Sequence, residues 1–236
     1  MNIGILNAYH FEQVPGNYQE EYSQIFIEFV KSVFPDKKTN IIEYKVALGN
    51  FPKSVSECDI WFITGSPKSV YEDITWIHQL TDFTKKLHAN KKKLVGICFG
   101  HQMVAHALGG KVLKSARGWG VGIREFNITQ KQTWMTPVDN KMSLIFSHQD
   151  QVEIPPPNAK LLAGDEFCSY QMLQIGEHIL SFQGHPEFTE KFAKDRLNSR
   201  KQLMPLETYQ TALDSFKNKN DSKQLIAWIQ KFVNNN

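Results

Sequence analysis

Leu94-Val95-Gly96-Ile97-Cys98-Phe99-Gly100-His101-Gln102 sets a cysteine between a short apolar run and a helix-forming run, with a glycine two residues to either side. The apolar run reads as a buried strand. The segment after it reads as a helix that begins near Cys98 and closes at Gly109-Gly110. Small flanking residues let the chain turn sharply, so the thiol projects from the strand end with the helix N-terminus beneath it. Helix-end amides favour negative charge there, which suits a thiolate. This is the cysteine counterpart of a nucleophile elbow. The ordinary alternative, a cysteine packed as a small hydrophobe, is weakened by the paired glycines and by the strand-to-helix position.

Upstream, residues 2–8 form a strand pattern, and Tyr22, Ile25, Phe26, Phe29, Val30 and Val33 then recur at helical spacing. Strand patterns follow at Ile41–Tyr44 and Asp59–Ile63, the latter running into the turn Thr64-Gly65-Ser66-Pro67, and a helix pattern covers residues 74–89. This alternation predicts an α/β fold, an open and mostly parallel sheet flanked by helices. Downstream, Val121–Ile123, Leu144–Phe146 and Ile179–Phe182 read as strands that extend or edge that sheet. The tail is helical from Thr189, with Leu225, Trp228, Ile229, Phe232 and Val233 as an apolar stripe. The division expected is residues 1–190 as the α/β domain and 191–236 as a helical extension packed on it. Pro155-Pro156-Pro157 and the terminal asparagines read as loop and frayed end.

The chain of 236 residues is 41% hydrophobic, with no apolar run of bilayer length, so no membrane span is expected. Met1 leads straight into a strand pattern without a signal-peptide n-region, and three cysteines, Cys58, Cys98 and Cys168, neither pair completely nor form a CxxC. Together these predict a cytoplasmic protein with free thiols. A net charge of +3 gives no basic face for nucleic acid, and Lys91-Lys92-Lys93 reads as a solvated loop. His101 and His106 do not share a helix face, so no metal is expected, and nothing points to a cofactor. The glycine-rich stretch Gly118-Trp119-Gly120-Val121-Gly122 matches no phosphate-binding pattern and is assigned to turn geometry.

A second motif, Gln183-Gly184-His185-Pro186-Glu187, ends a strand pattern. A residue before proline is driven to extended backbone, in which side chains two apart face one way, so His185 and Glu187 are expected side by side. They suit a base and its orienter: the imidazole takes the thiol proton and later protonates a leaving amine, while the carboxylate fixes its tautomer. The backbone amide of Phe99 is the first expected oxyanion donor, and the Gly65-Ser66 turn a second.

At these motifs the sequence resembles the class I, or triad, glutamine amidotransferase domain, over roughly residues 40–190. The resemblance implies a flavodoxin-like open sheet and a Cys98 γ-glutamyl thioester with His185 and Glu187 completing the triad. It also implies Gly65 in the oxyanion loop, Gln102 binding substrate, and Ser147-His148-Gln149-Asp150 at the substrate's α-amino and carboxylate end. The expected activity is hydrolysis of the glutamine side-chain amide to glutamate and ammonia. The alternatives are a γ-glutamyl peptidase, which the stand-alone layout also resembles, and a non-catalytic binding or regulatory protein. About fifty residues follow the triad, too few for an ATP-binding domain, so any synthetase partner is expected to be a separate polypeptide.

Overall fold

The computed structural model describes residues 1–10, 18–35, 38–137 and 139–234. Its first half alternates as the periodicity predicts: β1 (Asn2–Leu6), α1 (Tyr18–Val33), β2 (Asn40–Tyr44), β3 (Ile60–Ile63), α2 (Thr75–Ala89), β4 (Lys93–Ile97) and α3 (Phe99–Ala107). Then come β5 (Lys111–Lys114), β6 (Gly120–Ile128), β7 (Lys141–His148), β8 (Asp150–Ile154), β9 (Lys160–Gly164), β10 (Met172–Ile175) and β11 (Ile179–Phe182). Helices α4 (Glu190–Ser199), α5 (Leu206–Ser215) and α6 (Ser222–Asn234) finish the chain. Among the described residues no helix is long and apolar enough to cross a membrane.

Nine strands form one open sheet in the order β2-β1-β3-β4-β11-β10-β9-β6-β7, while β5 and β8 pair as a separate ribbon. The strands from β2 to β11 run parallel, and the remaining pairings are antiparallel. Strand β11 does not edge the sheet but enters its middle beside β4. Strands β9 and β10, and the ribbon, are elements the apolar runs did not single out.

Every residue of β3 is buried because helices cover both faces of the parallel half. Alternate side chains face opposite layers. Ile60 and Phe62 join Tyr22, Phe26 and Phe29 of α1 and Trp228, Ile229 and Phe232 of α6 in one core. Trp61 and Ile63 join Ile77, Leu80 and Phe83 of α2 and Met103 and Val104 of α3 in the other. Thr189 starts the helical tail by accepting a hydrogen bond from the Phe192 amide. Asn234 closes α6, and the last two asparagines lie outside the described residues.

The parallel half is what positions the chemistry. Strand order reverses between β2-β1 and β3-β4, and ligands in such sheets bind beyond the strands' C-terminal ends at that reversal. The C-terminal ends of neighbouring β3, β4 and β11 deliver Thr64-Gly65-Ser66, Cys98 and Gln183-Gly184-His185 to one place.

Candidate active site

Cys98 caps α3 with φ 52° and ψ −101°, a left-handed backbone that a non-glycine residue adopts at some cost. Its amide donates to the Phe182 carbonyl at 2.9 Å, which locks the elbow to the end of β11. The flanking glycines are there for close approach. A Cβ on Gly100 would lie 2.3 Å from the Ile63 carbonyl oxygen, and one on Gly96 2.6 Å from that of Gly100. Cys58 and Cys168 are buried in packing, and burial raises their thiols to about 11 and about 12. Their thiolate forms are therefore disfavoured.

His185 and Glu187 meet, with Nδ1 and Oε1 2.7 Å apart. The route differs from the expected one: Pro186 and Glu187 form a turn, not an extended run, and the turn brings the carboxylate back onto the ring. Phe188 stacks on the imidazole, ring centroids 3.9 Å apart. Burial disfavours the imidazolium, but the Glu187 carboxylate and the Cys98 sulfur outweigh it and hold His185 up at about 10. With Nδ1 bound to Glu187, Nε2 is buried without a hydrogen-bond partner. That nitrogen is the one left to exchange a proton with the Cys98 sulfur, and hydrogen bonds of this kind often close only around substrate.

Glu187 is held from a second side. Tyr22, on α1, donates to Glu187 Oε1 at 3.1 Å and accepts from the Gly65 amide at 3.0 Å. Burial first, and then the Glu187 charge, push the Tyr22 phenol well above its usual range, so it stays a donor. This corrects the expectation for Gly65. Its N–H is spent on Tyr22, and its missing Cβ makes room for the His185 ring, whose Cε1 would lie 3.2 Å away. Ser66, not Gly65, lines the cavity at Cys98, and its amide has no partner among the described residues. The Phe99 amide, first of α3, is likewise without one, as helix-initial amides are.

That cavity holds about 130 Å³ and is lined by Ser66, Cys98, Gln102, Ser147, His148, Asp150 and Arg200, among others. The predicted binding residues are thus brought together, with their polar atoms partly committed. Gln102 Nε2 donates to the Asp150 carbonyl at 2.8 Å and to Gln183 Oε1 at 3.0 Å. Gln183 in turn points Nε2 at Cys98 Sγ, 3.4 Å away. His148 donates from Nδ1 to the Asp150 carbonyl, and burial pulls its pKa down to about 3, so it faces the cavity as a neutral ring. The chain leaves the main sheet at His148 and enters the ribbon at Asp150, a switch that lifts this segment over the elbow.

Sequence reading missed four contributors: Tyr22, whose role comes from packing; Gln183, quoted within its motif but given no task; Arg200 at the end of α4; and Trp119. Of the glycine-rich stretch read as a turn, Gly118 closes one on the Ser115 carbonyl, while Gly122 takes its positive φ of 77° inside β6. Gly120 begins β6, and Trp119 walls the cavity. A wider groove of about 570 Å³ shares Pro67, Lys68, Trp119 and Arg200 with the cavity and extends past Ile74 and Trp76.

The family model described as glutamine amidotransferase class-I matches residues 27–203. The chain is 33% identical over 181 residues to γ-glutamyl peptidase 3 of Arabidopsis thaliana, covering 73% of this chain and 72% of that one. To γ-glutamyl peptidase 2 of the same plant it is 32% identical over 209 residues, covering 84% and 83%. It is 32% identical over 142 residues to one subunit of the glutamine-hydrolysing GMP synthase of Sulfolobus acidocaldarius, covering 59% of this chain and 73% of that one. The crystal structure of a glutamine amidotransferase from Thermotoga maritima shares the fold, with a TM-score of 0.77 over 99% of both chains at 16% identity. A family match across most of the sequence, on a fold that gathers the paired motifs at one sheet end, leaves one assignment: this chain belongs to the class I glutamine amidotransferase family.

Proposed function

We propose that the chain is a cysteine hydrolase of γ-glutamyl amides, with γ-glutamyl peptides as its substrates. The observation that carries this reading is the groove of about 570 Å³ beside the Cys98 cavity. Glutamine releases ammonia, which needs no groove, whereas a γ-glutamyl peptide releases an amino acid or peptide that does. Trp76, Trp119 and Ile74 give the groove apolar walls suited to such a leaving group. The relatives named γ-glutamyl peptidases support the same choice.

In this mechanism His185, held protonated beside Glu187, carries the proton given up by Cys98, and the sulfur attacks the γ-carbonyl. The oxyanion is met by the amides of Phe99 and Ser66. His185 returns the proton to the leaving nitrogen as the C–N bond breaks, leaving a γ-glutamyl thioester. Water then adds with His185 as base, and glutamate departs as the thiol is restored. Glu187 keeps the ring in the required tautomer and stabilises the imidazolium. Residues 191–236 are read as one unit with 1–190, because α6 shares a core with α1.

Glutamine fits the same site with ammonia as leaving group. The similarity to relatives named as GMP synthase subunits supports this second reading, in which a separate synthetase polypeptide takes up the ammonia.

The test compares release of amino acid from γ-glutamyl dipeptides with release of ammonia from glutamine. Wild type is expected to favour the dipeptides and Cys98→Ala to show only background with either substrate. Glu187→Gln is expected to lose about a hundredfold to ten-thousandfold, less than Cys98→Ala. Dipeptide cleavage undiminished in Cys98→Ala would sink the mechanism, and faster glutamine hydrolysis would select the second reading.

A further inference from the structure

Cys98 is buried, and in the mechanism above its sulfur carries charge before it attacks and again as the thioester breaks. A buried anion is costly unless hydrogen-bond donors face it. One such donor belongs to Gln183, whose Nε2 lies 3.4 Å from Sγ. Gln183 follows β11, has no exposed surface, and is held by its backbone amide, which donates to the Gln171 carbonyl at 2.9 Å. The preceding Phe182 carbonyl accepts from the Cys98 amide at 2.9 Å, so the two residues keep a fixed spacing across the β4–β11 pair.

Which end of the Gln183 amide meets the sulfur is settled from β8. The Asp150 carbonyl can only accept, so Gln102 must turn its Nε2 toward it, at 2.8 Å. The same NH2 group donates to Gln183 Oε1 at 3.0 Å. Gln183 therefore spends its oxygen on Gln102 and has N–H to offer Cys98. Flipping its amide would set two NH2 groups against each other and an oxygen lone pair against the sulfur. A backbone carbonyl at the start of β8 thus fixes, through two buried side-chain amides, the polarity presented to Sγ.

We propose that Gln183 is a second hydrogen-bond donor to the Cys98 sulfur, beside the His185 imidazolium, and that Gln102 and the Asp150 carbonyl act through it as positioning groups. The inference rests on the γ-glutamyl hydrolase reading and adds to it how the sulfur is aimed and its charge supported. No proton passes along the two amides, and Gln183 keeps its N–H throughout. It steadies the thiolate–imidazolium pair before attack. It meets the sulfur again when the tetrahedral adduct of the thioester collapses, so that sulfur departs as thiolate.

The first readout needs no substrate: the rate at which iodoacetamide alkylates Cys98, with Cys98→Ala as the blank for Cys58 and Cys168. Gln183→Met keeps the length of the side chain and removes the donor. It should slow alkylation about 10- to 100-fold and lower kcat on a γ-glutamyl dipeptide by a similar factor, with KM changed less than about threefold. Gln102→Leu frees the Gln183 amide to turn, and should slow alkylation of the free enzyme by a smaller factor. Gln183→Glu keeps the shape and replaces the donor with an oxygen. Its deficit against wild type should be largest near about pH 8 and shrink toward about pH 5, where a carboxyl raised by burial takes up a proton and again presents a donor to the sulfur. Alkylation of Gln183→Met at the wild-type rate, or a loss in KM alone, would overturn the proposal. So would a Gln183→Glu deficit that stays constant with pH, which is what a repacked site would give; that variant decides the matter if Gln183→Met yields no folded protein. A wild type inert toward γ-glutamyl substrates, whose alkylation still depends on Gln183, would remove the hydrolysis reading alone.

Discussion

The phenol of Tyr22 donates to the Glu187 carboxylate at 3.1 Å across 165 residues of chain, and by accepting from the Gly65 amide it also fixes the turn beside Cys98. One hydroxyl from a packing helix thus connects the Glu187 carboxylate to the loop that carries Ser66. In Tyr22→Phe the Glu187 oxygen loses a charge-assisted partner and the Gly65 amide is left buried without an acceptor. The expected result is a loss of about 1–3 kcal/mol in stability and about a tenfold fall in kcat. Urea unfolding and steady-state rates would check it. An unchanged kcat would mean that His185 alone holds Glu187 in place.

Stability should be greatest near pH 6.5 and fall on both sides. His101 is buried between Ser181 Oγ and the Tyr170 carbonyl, and burial lowers its pKa to about 4; His148 lies lower still, at about 3. Both stay neutral in the fold while the unfolded chain takes up protons near 6.5, so their contribution is full above that pH and is lost as pH falls toward 3 to 4. His185 acts oppositely. Raised to about 10, it contributes fully below 6.5 and loses that contribution as pH climbs toward 10. Each tenfold change in proton affinity corresponds to about 1.4 kcal/mol. Urea midpoints measured across this range should trace the dome, and His185→Gln should flatten its alkaline limb.

Gly100→Ala should be destabilised by several kcal/mol or yield no folded protein, because the added methyl would meet β3 backbone at 2.3 Å, where nothing flexible can yield. Thermal unfolding against Ala105→Gly, a deletion on the same helix, would isolate the clash from helix propensity. Near-native melting of Gly100→Ala would show that α3 can shift away from Ile63.

The parts of the site legible in the sequence were those that depend on neighbours in the chain. Cys98 announces itself through glycines two residues away, and His185 and Glu187 are two apart. What joins distant segments was not legible. Tyr22 looked like one more apolar position of α1, and Arg200 belonged to no motif. The composition of Gly65-Ser66 likewise carries no sign of which amide faces the cavity, since a packing partner on α1 decides that. In the fold, β1 to β4 showed themselves through the helices between them. Strands β9 and β10, joined by tight connections without helices, offered no such contrast.

The position of β11 has a bearing on how the molecule is made. Strands β1 to β4 leave the ribosome with the β4 edge unpaired, and the strand that covers it is synthesised only about eighty residues later. Until then, an edge of Leu94, Val95 and Ile97 stands open beside Cys98, in a form prone to pairing with other chains. Cys98 and His185 therefore come together in the last long-range closure of the sheet, so a nascent or truncated chain ending before β11 lacks that pairing and has a sticky edge in its place.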